Sequence, residues 1–318
     1  MAPPINDAAT RQQTLTEMEV LRKEIYGIKI KNYSIIGLSV LILILSMVLG
    51  GLIPVIILGI AGIIYGIVMI SKAGAKEAQY RYSYKHSLLA YALKNIDESL
   101  RIDDVQALSE EEFTSSQLFA KEPDRYHSED QVSGFSGKTK FSFSEVHAEY
   151  KTVTQTKNGR REDWYDILKG VVFFADFNKN FNGTTIVRPK DFGTAFGAWI
   201  ATALPIFGSG EVVKLENPNF DQNFVTYSND QVEARYILTP AMMERICELN
   251  ERSSETISLS FTGSLVYIAF PLSGNYFEPP FSRTLLNDTL LQKDIELVQF
   301  MYDIIKELDL NTRIWGKN

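Results

Sequence analysis

The residues able to do chemistry are few and dispersed. The densest oxygen-bearing segment is Asp176-x-Asn178-x-Asn180-x-Asn182-Gly183, whose alternating side chains look like the start of a calcium loop. A helix–loop–helix calcium site needs Gly at its sixth position and Glu at its twelfth, and these positions hold Phe181 and Val187. The expectation is a polar turn whose Asp and Asn side chains bond nearby backbone. Cys247 is the single cysteine, so neither an intramolecular disulfide nor a cysteine-built zinc cluster can form. His86, His127 and His147 are too far apart in sequence to suggest a His-built metal site. G-x-S-x-G, a phosphate-cradling glycine loop and H-E-x-x-H are all missing, and Gly208-Ser209-Gly210 is too short to count. Cys247 follows Met243 by one helical turn, which reads as burial. Tyr227, Ser228, Glu233 and Arg235 could line a pocket, but cap and helix-surface roles account for them. The sequence therefore assigns no catalytic residue, no cofactor and no metal ligand.

What must position these groups is set by where the apolar residues fall. The 318 residues carry a net charge of −7, yet Tyr33 to Ile70 contains no Asp, Glu, Lys, Arg or His. Residues 1–86 hold nine basic and five acidic residues, a net of +4, which leaves −11 for the remainder. An acidic folded bulk argues against nucleic acid as a partner, because phosphate neutralisation needs a basic face.

The uncharged stretch divides at Gly50-Gly51-Leu52-Ile53-Pro54. Two glycines and a proline punctuate a helix, so the reading is a transmembrane hairpin over residues 33–71 with arms at 33–49 and 55–70. Each arm of about 17–20 residues extends roughly 25–30 Å, just enough to span a bilayer core. A hairpin dipping into one leaflet and a pair of helices buried in a soluble core are the alternatives; a cleaved signal peptide is not expected, because a polar segment precedes the apolar run. Arg22, Lys23, Lys29 and Lys31 precede the first arm, and Lys72, Lys76, Arg81 and Lys85 follow the second, whereas the turn is uncharged. The positive-inside bias then puts both termini in the cytoplasm. Gly59, Gly62 and Gly66, the last two in G-xxx-G spacing, are candidate helix–helix contacts in the membrane, between the two arms or between copies in a homo-oligomer.

Residues 1–32 read as an N-terminal amphipathic helix, with Leu15, Met18, Leu21, Ile25 and Ile28 on one stripe, and the alternative is a helix lying flat on the lipid. Residues 72–130 read as a helical stalk, with Ala78, Tyr82, Leu89, Leu93, Ile96 and Leu100 apolar, leading into a polar connector with one short helix near Ser109. Residues 131–318 read as an α+β domain of antiparallel sheet flanked by helices. Its expected elements are a hairpin around Asn158-Gly159, strands at 184–187 and 211–215, a capping box at Ser228–Gln231 and a helix opening at Thr239-Pro240. A hairpin at Thr262-Gly263 and a helix from Leu285 to Leu308 complete it.

Leu168-Lys169-Gly170-Val171-Val172-Phe173-Phe174-Ala175-Asp176-Phe177-Asn178-Lys179, then Val212 to Phe224, and above all Tyr227-Ser228-Asn229-Asp230-Gln231-Val232-Glu233-Ala234-Arg235-Tyr236-Ile237-Leu238-Thr239-Pro240, resemble a bacterial membrane-protein family known as domain of unknown function 3137. The resemblance runs from about Tyr33 to Phe270. It implies a bacterial inner (plasma) membrane location with two spans and a cytoplasmic domain, and it implies no reaction. It also implies a protein partner, a small membrane-anchored coiled-coil protein. Gly193 to Gly210 is more apolar than the resemblance leads one to expect.

Phe192 to Gly210 is uncharged over 19 residues, and Phe196, Trp199, Ile206 and Phe207 there are candidates for membrane or partner contact, with a buried helix and loop as the bland alternative. The functional expectation is a membrane-anchored scaffold that binds a protein or membrane component near the inner leaflet. The alternative is a membrane-bound enzyme with its pocket in the α+β domain. A transporter subunit is less favoured, because arms without an ionisable residue build no ion path.

Overall fold

A computed structural model describes residues 8–48, 50–104, 106–156, 159–177, 179–190, 210–286, 289–308 and 310. The chain divides into two compact units, Met1–Asn95 with Phe277–Ile295, and Ile96–Tyr276 with Glu296–Asn318.

In the first unit the expected amphipathic segment and first apolar arm are one helix, α1 (Ala8–Val48), of 41 residues, because no proline or glycine pair interrupts 28–33. Gly50 and Gly51 take left-handed φ of 95° and 72°, a conformation that glycine reaches without a Cβ penalty. They reverse the chain into α2 (Ile53–Ser83), which has proline in its first turn. A π-helical turn (Tyr84–Leu89) and α3 (Ala90–Ile96) follow. The two long helices pair antiparallel through a seam of period seven. On α1 its buried members are Met18, Ile25, Asn32, Ser39 and Ser46; on α2 they are Gly59, Gly66, Ala73 and Tyr80. A seven-residue repeat keeps one face toward the partner along the whole pair. Beyond the apolar arms the pair continues through Lys29–Glu77, 2.5 Å apart, and Lys76–Glu24.

The expected second stripe holds at Leu89 and Leu93 and is corrected ahead of them. Ala78 and Tyr82 are exposed, whereas Tyr80, Tyr84, Leu88, Leu89 and Leu93 are buried. The heptad places Tyr80 inward, and the π-turn adds a residue to the helix, which re-phases the positions after it.

The second unit holds a nine-stranded sheet in the order β1-β2-β3-β4-β9-β8-β5-β7-β6, antiparallel at every pairing. Its strands are β1 (Arg101–Asp103), β2 (Arg125–Ser136), β3 (Thr139–Thr156), β4 (Gly159–Asp176), β5 (Thr185–Pro189), β6 (Glu211–Val213), β7 (Phe224–Ser228), β8 (Ser258–Thr262) and β9 (Leu265–Pro271). The helices are α4 (Glu110–Ser115), α5 (Pro218–Asn223), α6 (Gln231–Ile237) and α7 (Pro240–Arg252). The final helix, α8 (Thr289–Glu307), contributes its residues from Glu296 onward. The α+β architecture and the hairpins at Gly159 and Gly263 are as expected. The polar connector is not: it contains β1 and the first half of β2; over the whole of β2 the buried positions are Asp130, Val132, Gly134 and Ser136, too polar for an alternation rule to detect.

One sheet face packs Val146, Ala148, Tyr150, Leu168, Val172, Tyr267 and Ala269 against Leu108, Phe113 and Leu118 around α4. That helix has a full capping box, Ser109 Oγ accepting from the Glu112 amide at 3.1 Å while the Glu112 carboxylate accepts from the Ser109 amide at 2.9 Å. On the opposite face, Phe141 and Phe270 meet Tyr302 and Phe300 of α8 edge-on, with centroids 6.0 and 5.5 Å apart.

Candidate functional site

Within the hairpin the sequence-selected glycines lie at the closest approach of the two arms. A Cβ on Gly59 would stand 2.6 Å from Leu43 Cγ, one on Gly62 2.2 Å from Ser39 Oγ, and one on Gly66 2.5 Å from Ile36 Cγ1. These distances lie far inside van der Waals contact, so the small residues serve the intramolecular seam. The large side chains point the other way: Leu41, Ile44, Ile57, Leu58 and Ile64 are all more than half exposed, Leu58 at 66%.

Just past the arms, the first unit encloses a polar cluster that no local signal announces. The side chain of Arg22 pairs bidentately with Glu19, at 2.8 and 2.9 Å, and donates to the Phe281 carbonyl at 2.7 Å. Glu19 also accepts from the Leu285 amide at 3.0 Å. Tyr80 Oη donates to the Pro280 carbonyl at 2.7 Å, and Glu278 pairs with Lys85 at 3.3 Å and with Arg81. Lys29 lies 4.6 Å from the Phe281 ring centroid. Asp294 is buried too, 5% exposed; its Oδ2 accepts from Tyr84 Oη at 2.8 Å and its Oδ1 accepts from the Phe277 amide at 3.1 Å. Burial pushes its carboxyl up to about 6, against the opposing pull of these two bonds. Phe277, itself buried, holds φ at +58°, uncommon for an aromatic residue. The segment 277–286 thus fastens to α1 and α2 by bonds reaching across some 200 residues of sequence, which is why pattern reading missed it.

In the second unit, β3 carries Phe141 and Phe143 on one face and continues there as Glu145, His147 and Glu149. Alongside, a bulge between Glu129 and Val132 turns Asp130 to φ +56° and brings the ligand-capable oxygens of Glu129, Asp130 and Glu145 within 4.8 Å of one another. Glu145 accepts from the Tyr276 amide at 2.8 Å. A second group, His147, Glu149 and Asp166, meets the same 4.8 Å criterion. In it His147 Nε2 lies 2.8 Å from Asp166, and Arg125 donates to Glu149 at 2.9 Å. Imidazole and carboxylate suit a divalent cation. In the geometry present, His147 and Arg125 occupy the Asp166 and Glu149 carboxylates, making a hydrogen-bonded polar surface. Sequence reading treated the histidines separately; pairing β3 with β4 is what sets His147 beside Asp166.

Past β2 and β9, strands β3 and β4 run on together as a two-stranded arm from Tyr150 to Tyr165. It exposes Val153, Trp164 and Tyr165, and Arg125 stacks 3.9 Å from the Trp164 ring centroid.

The oxygen-rich segment after β4 is a turn held by a carboxylate. Glu233, 6% exposed, accepts from the amides of Asn182 and Gly183 at 3.0 and 2.9 Å and pairs with Lys179 at 3.4 Å. Phe181 inserts between Phe177 and Phe261, with centroids 5.2 and 6.0 Å away. The surface role expected for Glu233 is therefore corrected to a buried one, whereas Arg235 donates to the Gln231 carbonyl of its own helix. The cap of α6 is Asp230, accepting from the Val232 and Glu233 amides at 3.0 and 2.9 Å, not Ser228, which ends β7 buried. The Thr239 cap forms as expected, at 3.2 Å to the Met242 amide. Cys247 is half-buried, with burial pushing its thiol upward. Arg188, buried, donates to the Leu118 carbonyl at 3.0 Å, and desolvation lowers its guanidinium to about 10. Phe196, Trp199, Ile206 and Phe207 lie outside the described residues.

Comparison with known proteins matches residues 166–310 to the family described as Protein of unknown function (DUF3137). The match begins at Asp166 in β4 and ends past α8, a different span from the expected Tyr33–Phe270. Among solved structures, the crystal structure of the mycobacterial trehalose monomycolate transport factor A, TtfA, aligns with a TM-score of 0.26 at 12% identity, over 51% of this chain and 74% of that one. Comparison with curated proteins gives no significant match.

Proposed function

With a DUF3137 domain over residues 166–310 as premise, we propose that the chain is a two-span protein of the bacterial plasma membrane. Both termini and the sheet-bearing unit face the cytoplasm, and that unit acts as an interaction scaffold. One observation supports the membrane reading above the rest: the paired helices bury Gly59, Gly66, Ser39 and Ser46 while exposing Leu41, Ile44, Ile57, Leu58 and Ile64. A water-soluble hairpin has the reverse distribution. In lipid, backbones approach through small residues and large apolar side chains face the acyl chains. Both helices are long and apolar enough to cross a membrane, and the basic flanks orient them with the turn outside.

The scaffold reading draws on the exposed β3–β4 arm. Trp164, Tyr165 and Arg125 are the residue types that dominate binding energy at protein interfaces, here presented at the base of a two-stranded ribbon beside a mixed-charge face. The partner is a second protein of the membrane surface.

Thiol labelling tests topology. Because Cys247 is the single thiol, a membrane-impermeant maleimide added to intact cells leaves the protein unlabelled, and Leu52→Cys restores labelling from outside. Labelling of Cys247 but not of position 52 would reverse the orientation. Extraction of the protein from membranes by alkaline carbonate would dismiss the spans altogether. For the scaffold, crosslinking from position 154 on the same arm captures a discrete partner that Arg125→Ala/Trp164→Ala loses; an unchanged capture pattern would remove Trp164 and Arg125 from the argument.

A further inference from the structure

We propose that the cytoplasmic end of the hairpin contains a binding site for the phosphate headgroup of an anionic phospholipid. A cavity of about 280 Å³ opens between α1 and α2 where the uncharged arms end, lined among others by Ile28, Lys31, Tyr65, Met69, Lys72 and Lys76. The position is determined by the sequence: Lys31 is the last charge before the apolar run and Lys72 the first after it, and antiparallel pairing brings both to one opening. Lys76 is paired with Glu24. Among the described residues Lys31 and Lys72 have no carboxylate partner, so two positive charges converge on one concavity. The cavity sits at the lower edge of the roughly 300–1,000 Å³ of sites that enclose drug-sized ligands, room for a headgroup and not for a whole two-chain lipid. Tyr65 and Met69, one turn apart on α2, then offer an aromatic and a thioether surface to the first acyl carbons. Basic pockets between membrane helices on the cytoplasmic side suit acidic headgroups on general electrostatic grounds. Here buried Ala73 also lines the pocket, and its small side chain leaves room beside the lysines.

This inference rests on the membrane-spanning reading of residues 33–70, and the test separates the two. Full-length protein is purified in detergent, incubated with phosphatidylglycerol or phosphatidylcholine, and bound lipid is counted by native mass spectrometry. The expected result is a discrete phosphatidylglycerol adduct in excess over phosphatidylcholine. Lys31→Gln/Lys72→Gln weakens it about fivefold per lysine, about 25-fold for the pair. Lys31→Arg/Lys72→Arg retains it, and the charge-matched control Lys23→Gln/Lys94→Gln leaves it intact. Equal retention of both lipids, or equal loss in the control variant, would overturn the site. Displacement of the adduct by inorganic phosphate at matched concentration would make free phosphate the ligand and overturn the lipid. A protein that is monodisperse without detergent would instead refute the membrane reading, which is a distinct outcome.

Discussion

Asp294 offers the sharpest test of the first unit. Burial lifts its carboxyl from the usual 3.8 to about 6, which makes the ionised form roughly 3 kcal/mol less favourable in the fold than in the unfolded chain. A group whose folded pKa is raised binds protons more tightly when folded. Its contribution to stability is therefore complete below the unfolded pKa and is lost as pH rises through about 6. The opening constant of the 277–286 segment should fall about tenfold between roughly pH 7 and pH 5, with further protection gained below that. Hydrogen exchange of the amides in 277–286, corrected for intrinsic rates and measured on detergent-solubilised protein, reads this directly. Asp294→Asn keeps the shape: its carbonyl can accept from the Phe277 amide, and its NH2 can donate to Tyr84 Oη. That variant should be at least as protected as the parent at neutral pH, with the tenfold change abolished. Asp294→Ala removes the acceptor of the Phe277 amide and should lose about 1–3 kcal/mol in acid, and less at neutral pH, where the parent itself carries the cost of the buried ionised carboxylate. If Asp294→Asn retains the full pH response, or if the parent loses protection on mild acidification, burial of the ionised carboxylate is not what governs this segment.

Three further outcomes follow from close contacts within each unit. Gly62→Leu forces a side chain into the space held by Ser39 and should cost about 1–3 kcal/mol by separating the arms, read as a lengthened distance between spin labels at Val40→Cys and Ile60→Cys in a Cys247→Ser background. Glu233→Ala strips the carboxylate from the Asn182 and Gly183 amides and should destabilise the second unit by about 1–3 kcal/mol, whereas Glu233→Gln, which can still accept, should lose less; urea unfolding compares them. Gly170→Ala would place a Cβ 2.0 Å from the Phe270 carbonyl oxygen, so β4 and β9 must part locally, at a cost of about 3 kcal/mol, visible as lowered melting temperature and faster exchange at Val171 and Phe270.

The apolar hairpin, its glycine turn, the flanking charges, the α+β class and the β-hairpins were all legible because each is a local property. Hydropathy runs, left-handed glycines, proline at a first helical turn and period-two alternation are written in consecutive residues. The seven-residue seam was legible only in hindsight, because its members change type along the helices, from Met18 and Ile25 to Asn32, Ser39 and Ser46. What pairs with what was decided elsewhere. Asp294 is an unremarkable helix residue until Tyr84 and the Phe277 amide surround it, Glu233 is a surface acid until the turn at Asn182 folds onto it, and His147 gains Asp166 only through strand register. Composition along the chain is enough to choose a solvent and a secondary structure. The identity of a buried polar group's partner depends on closing loops of tens to hundreds of residues, and no local pattern encodes that.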